Sequence, residues 1–469
     1  MRVLYGAMIC VLLAALDQTV VIPALPAIGG DLGAYKQLPW IVSAYLITST
    51  ISTPVYGKLS DIYGRRRLLI VCIALFVLTS ILCALAATLD QLIWGRALQG
   101  LGGGGLMALT QAAIADVMSP RERGRYQGYI SAMWAAASVG GPLVGGFVAE
   151  HLSWRWIFWL NLPIGIAAMW MCHNGLRRLP PPARTLRSRL DMVGAVLIAG
   201  ALSVLLLALG WGGNTYPWAS VEVLGLAALG CVLLGLLVLQ EMRVSDPLLP
   251  PRVFASSSYV AAIVISTLIS VVLFMCLFTI PLHFQLARGA SAAEAGAYIA
   301  PFMLSSAAGN VVGSRWGRRS GTMRGVVRVA SAVCATGLIV LACLPTDAPV
   351  WAFVVVLVLT GPGVGGCMIS SMMTAQNALP PSDIGTGTGA LLVLRSVGGA
   401  SGSSVAGAII ATSLAAAQKT TGPLAAHLAP HFSTVYAAAA GIAAIIFLVA
   451  LCMPAARLRD TLHVAPVSE

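Results

Sequence analysis

One acidic residue lies deep inside an apolar stretch of the sequence. The chain has 469 residues, of which only 16 are Asp or Glu. Asp17 is enclosed by the apolar run that begins near Val3, whereas the other acids fall in loops, at the ends of apolar segments or, for Glu222, shallowly inside one. A carboxylate within such a segment must be paired or protonated, because hydrocarbon does not solvate its charge. Asp17 could therefore bind and release a proton, or serve as a structural acid bonded to a neighbouring helix.

Two arginines also lie within apolar segments. Arg96 precedes Gln99 by one helical turn in WGRALQG, and Arg395 precedes a Gly-Gly pair. A buried arginine is costly in lipid and normally faces a partner or a cavity, although Arg96 could instead extend to the membrane surface. We expect Gln99 and Arg395 to be candidate cavity residues. His283, near the end of a later apolar segment, is predicted to be interfacial.

Two glycine-containing motifs stand out. GKLSDIYGRRR places Gly57, Asp61, Gly64 and Arg65 in a short polar connection, where glycine permits a sharp reversal of the chain. The second motif is GPLVGG, in which small residues at four-residue spacing allow two helices to approach closely and a proline bends the helix. Its residues are Gly141, Pro142, Gly145 and Gly146.

The composition defines the elements that must position these residues. Hydrophobic residues make up 58% of the chain and charged residues 9%, with a mean hydropathy of +0.89. Soluble domains carry about 25% charged residues, so a soluble enzyme or nucleic-acid-binding domain is excluded. The sequence predicts an all-α polytopic membrane protein with 14 transmembrane helices. The predicted spans are 3–27, 38–56, 68–88, 91–115, 126–149, 157–176, 191–210, 219–240, 258–281, 295–314, 326–344, 349–375, 384–412 and 433–455.

The basic residues predict the orientation. Of the 28 Lys and Arg, 22 fall at the N-terminus, at the even-numbered connections or in the tail, and four fall at the odd-numbered ones. Lys and Arg collect on the cytoplasmic side of membrane proteins. Both termini are therefore predicted to be cytoplasmic.

The connections divide the chain into two six-helix halves plus an inserted helix pair. The Pro- and Arg-rich segment 177–190 ends the first half. We expect an N-terminal half at 1–176, linkers with the inserted pair at 177–257, a C-terminal half at 258–456 and a cytoplasmic tail at 457–469. A weak repeat supports the two halves, since Gly64-Arg65-Arg66 has a counterpart in Gly317-Arg318-Arg319, predicted to follow the tenth span.

These motifs resemble those of the major facilitator superfamily. WRWIFWLNLPIG, from Trp154 to Gly165, and LDQTVVIPALPAI, from Leu16 to Ile28, are similar to segments of its fourteen-helix drug:proton antiporter family (EmrB/QacA type). The resemblance implies proton coupling by Asp17, tuned by Arg96 in the central cavity. It also implies a cytoplasmic latch between the halves at Gly57, Asp61, Gly64 and Arg65, and a leak-tight antiporter contact between the halves at Gly141, Pro142, Gly145 and Gly146.

The expected function is proton-coupled efflux of amphipathic small molecules by alternating access, as in multidrug, antiseptic or antibiotic export. One alternative is a dedicated exporter of a single metabolite or antibiotic; an uptake permease fits the antiporter motif less well. A membrane enzyme or receptor is disfavoured, because no catalytic cluster or extramembrane domain is evident. The arginine-rich core mildly favours neutral, zwitterionic or anionic substrates.

The sequence also predicts the cofactors, the partners and the location of the protein. We expect no metal, no cofactor other than the proton gradient, and no nucleic-acid partner, since the net charge of +12 is explained by topology. The partners are a small-molecule substrate and membrane lipid, with a periplasmic adaptor left open. The protein is expected to be a monomer in a bacterial cytoplasmic (inner) membrane.

Overall fold

The fold is all-helical in the part of the chain that the structure describes. This computed structural model describes residues 2–32, 39–117, 120–175, 191–212, 216–244, 251–290, 292–345, 348–380, 383–417, 424–454 and 457–458. These residues form fifteen α-helices and no strand longer than an isolated bridge. The helices are α1 (Arg2–Leu32), α2 (Pro39–Tyr63), α3 (Arg65–Ala84), α4 (Leu89–Val117), α5 (Pro120–His151), α6 (Arg155–Trp159), α7 (Asn161–Gly175), α8 (Met192–Trp211), α9 (Val221–Arg243), α10 (Ser257–Leu282), α11 (Ala292–Ser320), α12 (Arg324–Cys343), α13 (Val350–Ala378), α14 (Ile384–Ala417) and α15 (Leu424–Cys452).

The helices coincide with the predicted spans, the short α6 and α7 together occupying the sixth. Within the described residues, eight helical segments are long and apolar enough to cross a membrane. They are Arg65–Ala84, Arg155–Asn174, Met192–Trp211, Val221–Arg243, Ser257–Gln285, Arg324–Cys343, Val350–Ala378 and His431–Cys452. The polytopic helical class is thus supported, while the total of fourteen crossings stays a prediction.

Local signals explain several helix ends. The side chain of Asp191 accepts a hydrogen bond from the amide of Gly194, 2.9 Å away, and so caps the first turn of α8. Ser220 and Ser256 cap α9 and α10 in the same way. A polar side chain at this position satisfies an amide that the helix itself leaves without a partner.

The two copies of the Gly-Arg-Arg sequence differ in structure. Gly64 separates α2 from α3 with φ 91°, a conformation that favours glycine. In the second copy, however, α11 continues through Gly317 to Ser320, and the positive φ of 71° belongs to Gly321. The expectation that Gly317 follows the tenth span is therefore wrong, because the helix there is one turn longer.

Most helix contacts fall within two bundles. Helices α1 to α7 pack together, and α10 to α15 form a second bundle around the largest hydrophobic core. The bundles meet where α5 runs along α11 and where α2 and α4 run along α14.

The inserted helices α8 and α9 pack against each other, and α8 contacts one helix from each bundle. On the α14 side, Val393 clusters with Ile198 and Leu202 of α8. The hydroxyl of Ser404 donates to the carbonyl of Leu209 over 2.6 Å. On the α2 side, the rings of Trp40 and Trp211 meet edge to face. The inserted pair thus lies beside the seam between α2 and α14.

One end of the first bundle is fastened by an ion pair outside the apolar segments. Arg155 donates to Asp31 over 2.7 Å and to the carbonyl of Ala86 over 3.1 Å, and the indole N–H of Trp154 reaches the same carboxylate. These donors hold the pKa of Asp31 below its usual range. Because both side chains are substantially exposed, the pair adds little stability and serves mainly to fix α1 against α6.

Candidate functional site

Asp17 is the centre of a buried hydrogen-bond network. One carboxylate oxygen, Oδ2, accepts from Arg96 Nη1 at 2.6 Å. The other, Oδ1, accepts from Gln99 Nε2 at 3.1 Å and from Asn161 Nδ2 at 2.8 Å. Asp17 is 1% exposed. All three groups donate, and the two carboxyl oxygens of Asp17 accept.

Arg96 is enclosed by helices of the same bundle. Besides Asp17, its guanidinium donates to Gln99 Oε1 at 2.7 Å and to the carbonyl of Ile41 in α2 at 3.3 Å. The guanidinium lies 4.3 Å from the ring centroid of Tyr45, a favourable placement for a cation over an aromatic face. Since Arg96 is 1% exposed, the prediction that it meets a partner is supported and the membrane-surface alternative is wrong.

The network extends to α3 and α7 through residues that the sequence analysis did not single out. Asn161 Nδ2 donates to Ser80 Oγ at 3.0 Å, and Ser80 in turn donates to the carbonyl of Phe158 at 2.9 Å. Asn161 is the first residue of α7, directly after the break that separates it from α6. Asn161 is the polar residue in the apolar part of WRWIFWLNLPIG, but this segment alone does not indicate what its side chain contacts.

The glycines of α5 bring this helix onto α1, next to Asp17. A Cβ atom at Gly141 would overlap the Thr19 side chain, and one at Gly145 would overlap the carbonyl of Val20. The Thr19 hydroxyl donates to the carbonyl of Ala137 over 2.8 Å, which fastens the two helices. In contrast, a Cβ at Gly146 would have no neighbour within 4 Å.

The expected placement of this motif between the halves is therefore wrong for Gly141 and Gly145. Both pack within the first bundle, because their side of α5 faces α1 at backbone distance. Helix α5 also contacts α11 of the second bundle. The side chain of Pro142 lies outside the described residues.

The structure describes part of the predicted latch, which comprises Gly57, Asp61, Gly64 and Arg65. The guanidinium of Arg65 donates to the hydroxyl of Ser60 and, over 3.4 Å, to the carbonyl of Gly57. These bonds hold Arg65 across the turn at Gly64. The side chain of Asp61 lies outside the described residues, so its pairing in the latch stays a prediction.

In the second bundle the structure separates Arg395 from His283. Arg395 is half-buried in α14, and its Nη2 lies 3.6 Å from the Met368 thioether of α13. His283 is only 2% exposed and is surrounded by the rings of Phe284, Phe353, Phe432 and Tyr436. The prediction that His283 is interfacial is wrong, because a turn of π-helix after α10 carries it inward.

Comparison with known proteins gives one family. The model of the Major Facilitator Superfamily matches residues 7–403. The multidrug transporter protein MdtP of Bacillus subtilis is 32% identical over 406 residues, covering 86% of this chain and 74% of that protein. The MFS-type efflux pump LUC4 of a Fusarium species is 35% identical over 393 residues, covering 82% of this chain and 69% of that pump.

Other matches differ in length or in sequence. An uncharacterized MFS-type transporter of Mycobacterium tuberculosis is 34% identical over 404 residues, which is 85% of this chain but only 58% of that relative. The chain thus spans less than two thirds of this relative's length. The crystal structure of the human organic anion transporter MFSD10 superposes with a TM-score of 0.67 and 17% identity, covering 96% of this chain and 99% of that one. At this identity the likeness concerns the fold alone.

Proposed function

Because the chain belongs to the Major Facilitator Superfamily, we propose that it exports amphipathic small molecules in exchange for protons, by alternating access. The observation that carries this proposal is the buried bond between Asp17 and Arg96, 2.6 Å long. It places the one acid deep within a predicted span of the two bundles opposite a fixed cation. Transporters of this kind place coupling groups near the membrane midplane between repeated halves.

The network suggests how a proton could change the conformation. In the arrangement described, Asp17 is held as a carboxylate by Arg96, Gln99 and Asn161. Protonation would remove its charge and convert an acceptor into a donor, so the bond to Arg96 would weaken. Arg96 would then favour other partners, and α1 could shift against α4. A proton taken up on one side and released on the other would thereby couple its own entry to substrate exit.

Two further features support export over uptake. The chain carries the glycine motif in α5, and relatives about a third identical are named as efflux pumps or multidrug transporters. A dedicated exporter of a single metabolite or antibiotic remains the alternative, with the same fold and coupling. We further propose a bacterial cytoplasmic membrane, cytoplasmic termini, a monomeric state and the proton gradient as energy source.

The test is uphill transport by variants of Asp17. A growth-inhibition panel in a pump-deficient host first identifies a toxic amphiphile that the wild type exports. In proteoliposomes under an imposed pH gradient, Asp17→Asn should lose uphill accumulation of that compound, because the amide cannot titrate. Asp17→Glu should retain part of it.

A second variant controls for folding. Removing one partner of a buried ion pair costs about 3–5 kcal/mol, so Asp17→Asn alone could destabilise the protein. The double variant Asp17→Asn with Arg96→Gln removes both charges and should fold, exchange substrate downhill and show no uphill transport. Full uphill transport by a folded Asp17→Asn variant would contradict the proposal.

A further inference from the structure

Arg395 is a cation without a counter-charge inside α14. In the part of the chain that the structure describes, its hydrogen-bonding partner is the thioether sulfur of Met368, at 3.6 Å. A thioether is a weak acceptor and carries no negative charge. Arg395 stands eleven residues from Ile384, where α14 begins, which is about 16 Å along the helix axis. Its guanidinium is therefore far from the polar end of the helix.

Arg96, the other arginine within an apolar segment, has an anionic partner. Arg96 is neutralised by Asp17 and bonded to three groups. Asp17 is fully engaged by those donors, and every other Asp or Glu of the sequence stands in a connection or near a predicted span end. A guanidinium without an anion is unfavourable in a low-dielectric setting. Among the residues that the structure describes, no acidic side chain pairs with Arg395.

Helix α14 packs on both bundles, and Arg395 lies on its side toward α10 and α13 of the second bundle. Gly398 and Gly402 bring α14 onto the backbone of α10, at Thr267 and Val271, which fixes the rotation of the helix. Gly389 approaches Pro54 of α2 in the first bundle, a Cβ there lying 3.5 Å from the Pro54 Cα. Arg395 is six residues further on, about 9 Å along the axis.

Its surroundings suit an amphipathic ligand. Arg395 is half-buried, so part of the residue is accessible from outside the packed helices. Met368 is flexible and polarisable, which lets it adapt to an apolar body of varying shape. The planar guanidinium can donate two parallel hydrogen bonds to a carboxylate, sulfonate or phosphate.

From these observations we propose that Arg395 binds the anionic group of the substrate, which makes the transported class amphipathic organic anions. The inference rests on the proposed export function, since the ligand is the exported molecule. A cation would be repelled by Arg395 and would find Asp17 already paired.

Binding without transport tests this assignment. The full chain is purified in a neutral detergent, so that no anionic lipid competes, and is titrated calorimetrically with three probes of one apolar body. The probes are 2-naphthalenesulfonate, 2-naphthalenesulfonamide and (2-naphthyl)trimethylammonium. The wild type should bind the sulfonate at least tenfold more tightly than the sulfonamide and should not bind the ammonium compound measurably.

Variants of Arg395 and of its neighbour Ser396 test whether the sulfonate binds at Arg395. Arg395→Gln should lose at least tenfold in affinity for the sulfonate and little for the sulfonamide, while Arg395→Lys should retain part of the preference. Ser396→Ala, next to Arg395 on the exposed side of the helix, should bind like the wild type. Tighter binding of the ammonium compound, no sulfonate binding by the wild type, or equal sulfonate affinity of wild type and Arg395→Gln would overturn the proposal. Since no gradient is used, this result is independent of whether Asp17 couples export to protons.

Discussion

Asp17 depends on neutral side chains as well as on its ion pair. Arg96 supplies the opposite charge, but both hydrogen bonds to Oδ1 come from the amides of Gln99 and Asn161. The position of the carboxyl group is thus set by residues of α4 and α7 as well as by its own helix, α1.

This network gives a prediction for Asn161. The variant Asn161→Ala removes one donor to the Asp17 carboxyl group. A hydrogen bond to a charged group contributes about 1.5 kcal/mol or more, so uphill transport should slow about tenfold and its pH profile should change. The measurement is initial export rate against pH in proteoliposomes.

Ser80→Ala is the matched control. Ser80 accepts from Asn161 but does not contact Asp17 in the described network, so its profile should move less. A profile for Asn161→Ala that coincides with that of the wild type would show that the amide has only a packing role.

Asp17, Arg96 and Gln99 of this network could be predicted from the sequence, and Asn161 and Ser80 could not. Asp17 and Arg96 stand out because a charge in an apolar segment is costly. Asn161 and Ser80 are polar residues of a kind that occur in membrane helices without any ionic partner. The contact of Asn161 with Asp17 joins positions 144 residues apart. No local sequence pattern predicts such a contact.

Among the elements, α1 has little freedom to move against α5. The glycine side of α5 lies on the α1 backbone at Val20, three residues from Asp17. Small residues at such a contact let two helices pack closely in a membrane. A larger residue there would displace α1 and, with it, the carboxylate.

A pair of alanine variants tests this contact. In Gly145→Ala the added Cβ would overlap the Val20 carbonyl, and such overpacking costs about 1–3 kcal/mol. We expect its uphill transport rate to fall at least tenfold, measured at equal amounts of folded protein. Gly146→Ala adds the same atom where no neighbour lies within 4 Å and should stay within twofold of the wild type. Equal rates for the two variants would rule out the contact as the cause.

The helices themselves were easier to predict than what each one touches. Apolar runs and capping residues such as Asp191 and Ser220 report local structure. Whether α11 continues through Gly317, or whether His283 turns inward, depends on tertiary packing. In the first case Gly321 supplies the reversal instead, and in the second a π-helical turn redirects the chain. Neither is encoded in hydropathy alone.

For the whole molecule, the contact between Pro54 and Gly389 is one place where the two bundles meet. Both residues are buried, near the end of α2 and the start of α14. Alternating access requires the bundles to separate there during each cycle. The position of α8 and α9 beside the same seam could not be predicted from the sequence, because an apolar helix does not specify its neighbours.

A disulfide across this contact should stop transport reversibly. A Cβ at Gly389 would lie 3.5 Å from the Pro54 Cα, so the two Cα atoms are within the distance of about 7 Å that a disulfide can bridge. In a chain whose exposed Cys231, Cys343 and Cys452 are changed to Ser, oxidation of Pro54→Cys with Gly389→Cys should abolish export, and reduction should restore it. The single variant Pro54→Cys should be insensitive to oxidant. Undiminished export with the cross-link formed would show that this contact does not open.

The unmatched charge of Arg395 has a consequence for how membrane voltage would act on the proposed cycle. One elementary charge that crosses the full potential gains about 2.3 kcal/mol per 100 mV. With Asp17 ionised and an anion on Arg395, the charges of Asp17, Arg96, Arg395 and the anion sum to zero. Membrane voltage therefore does no work on the step that moves the substrate. With Asp17 protonated and no anion bound, both arginines are uncompensated. A potential that is negative inside therefore acts on the empty, protonated transporter and drives it inward, so that voltage speeds the return step and leaves the export step unaffected.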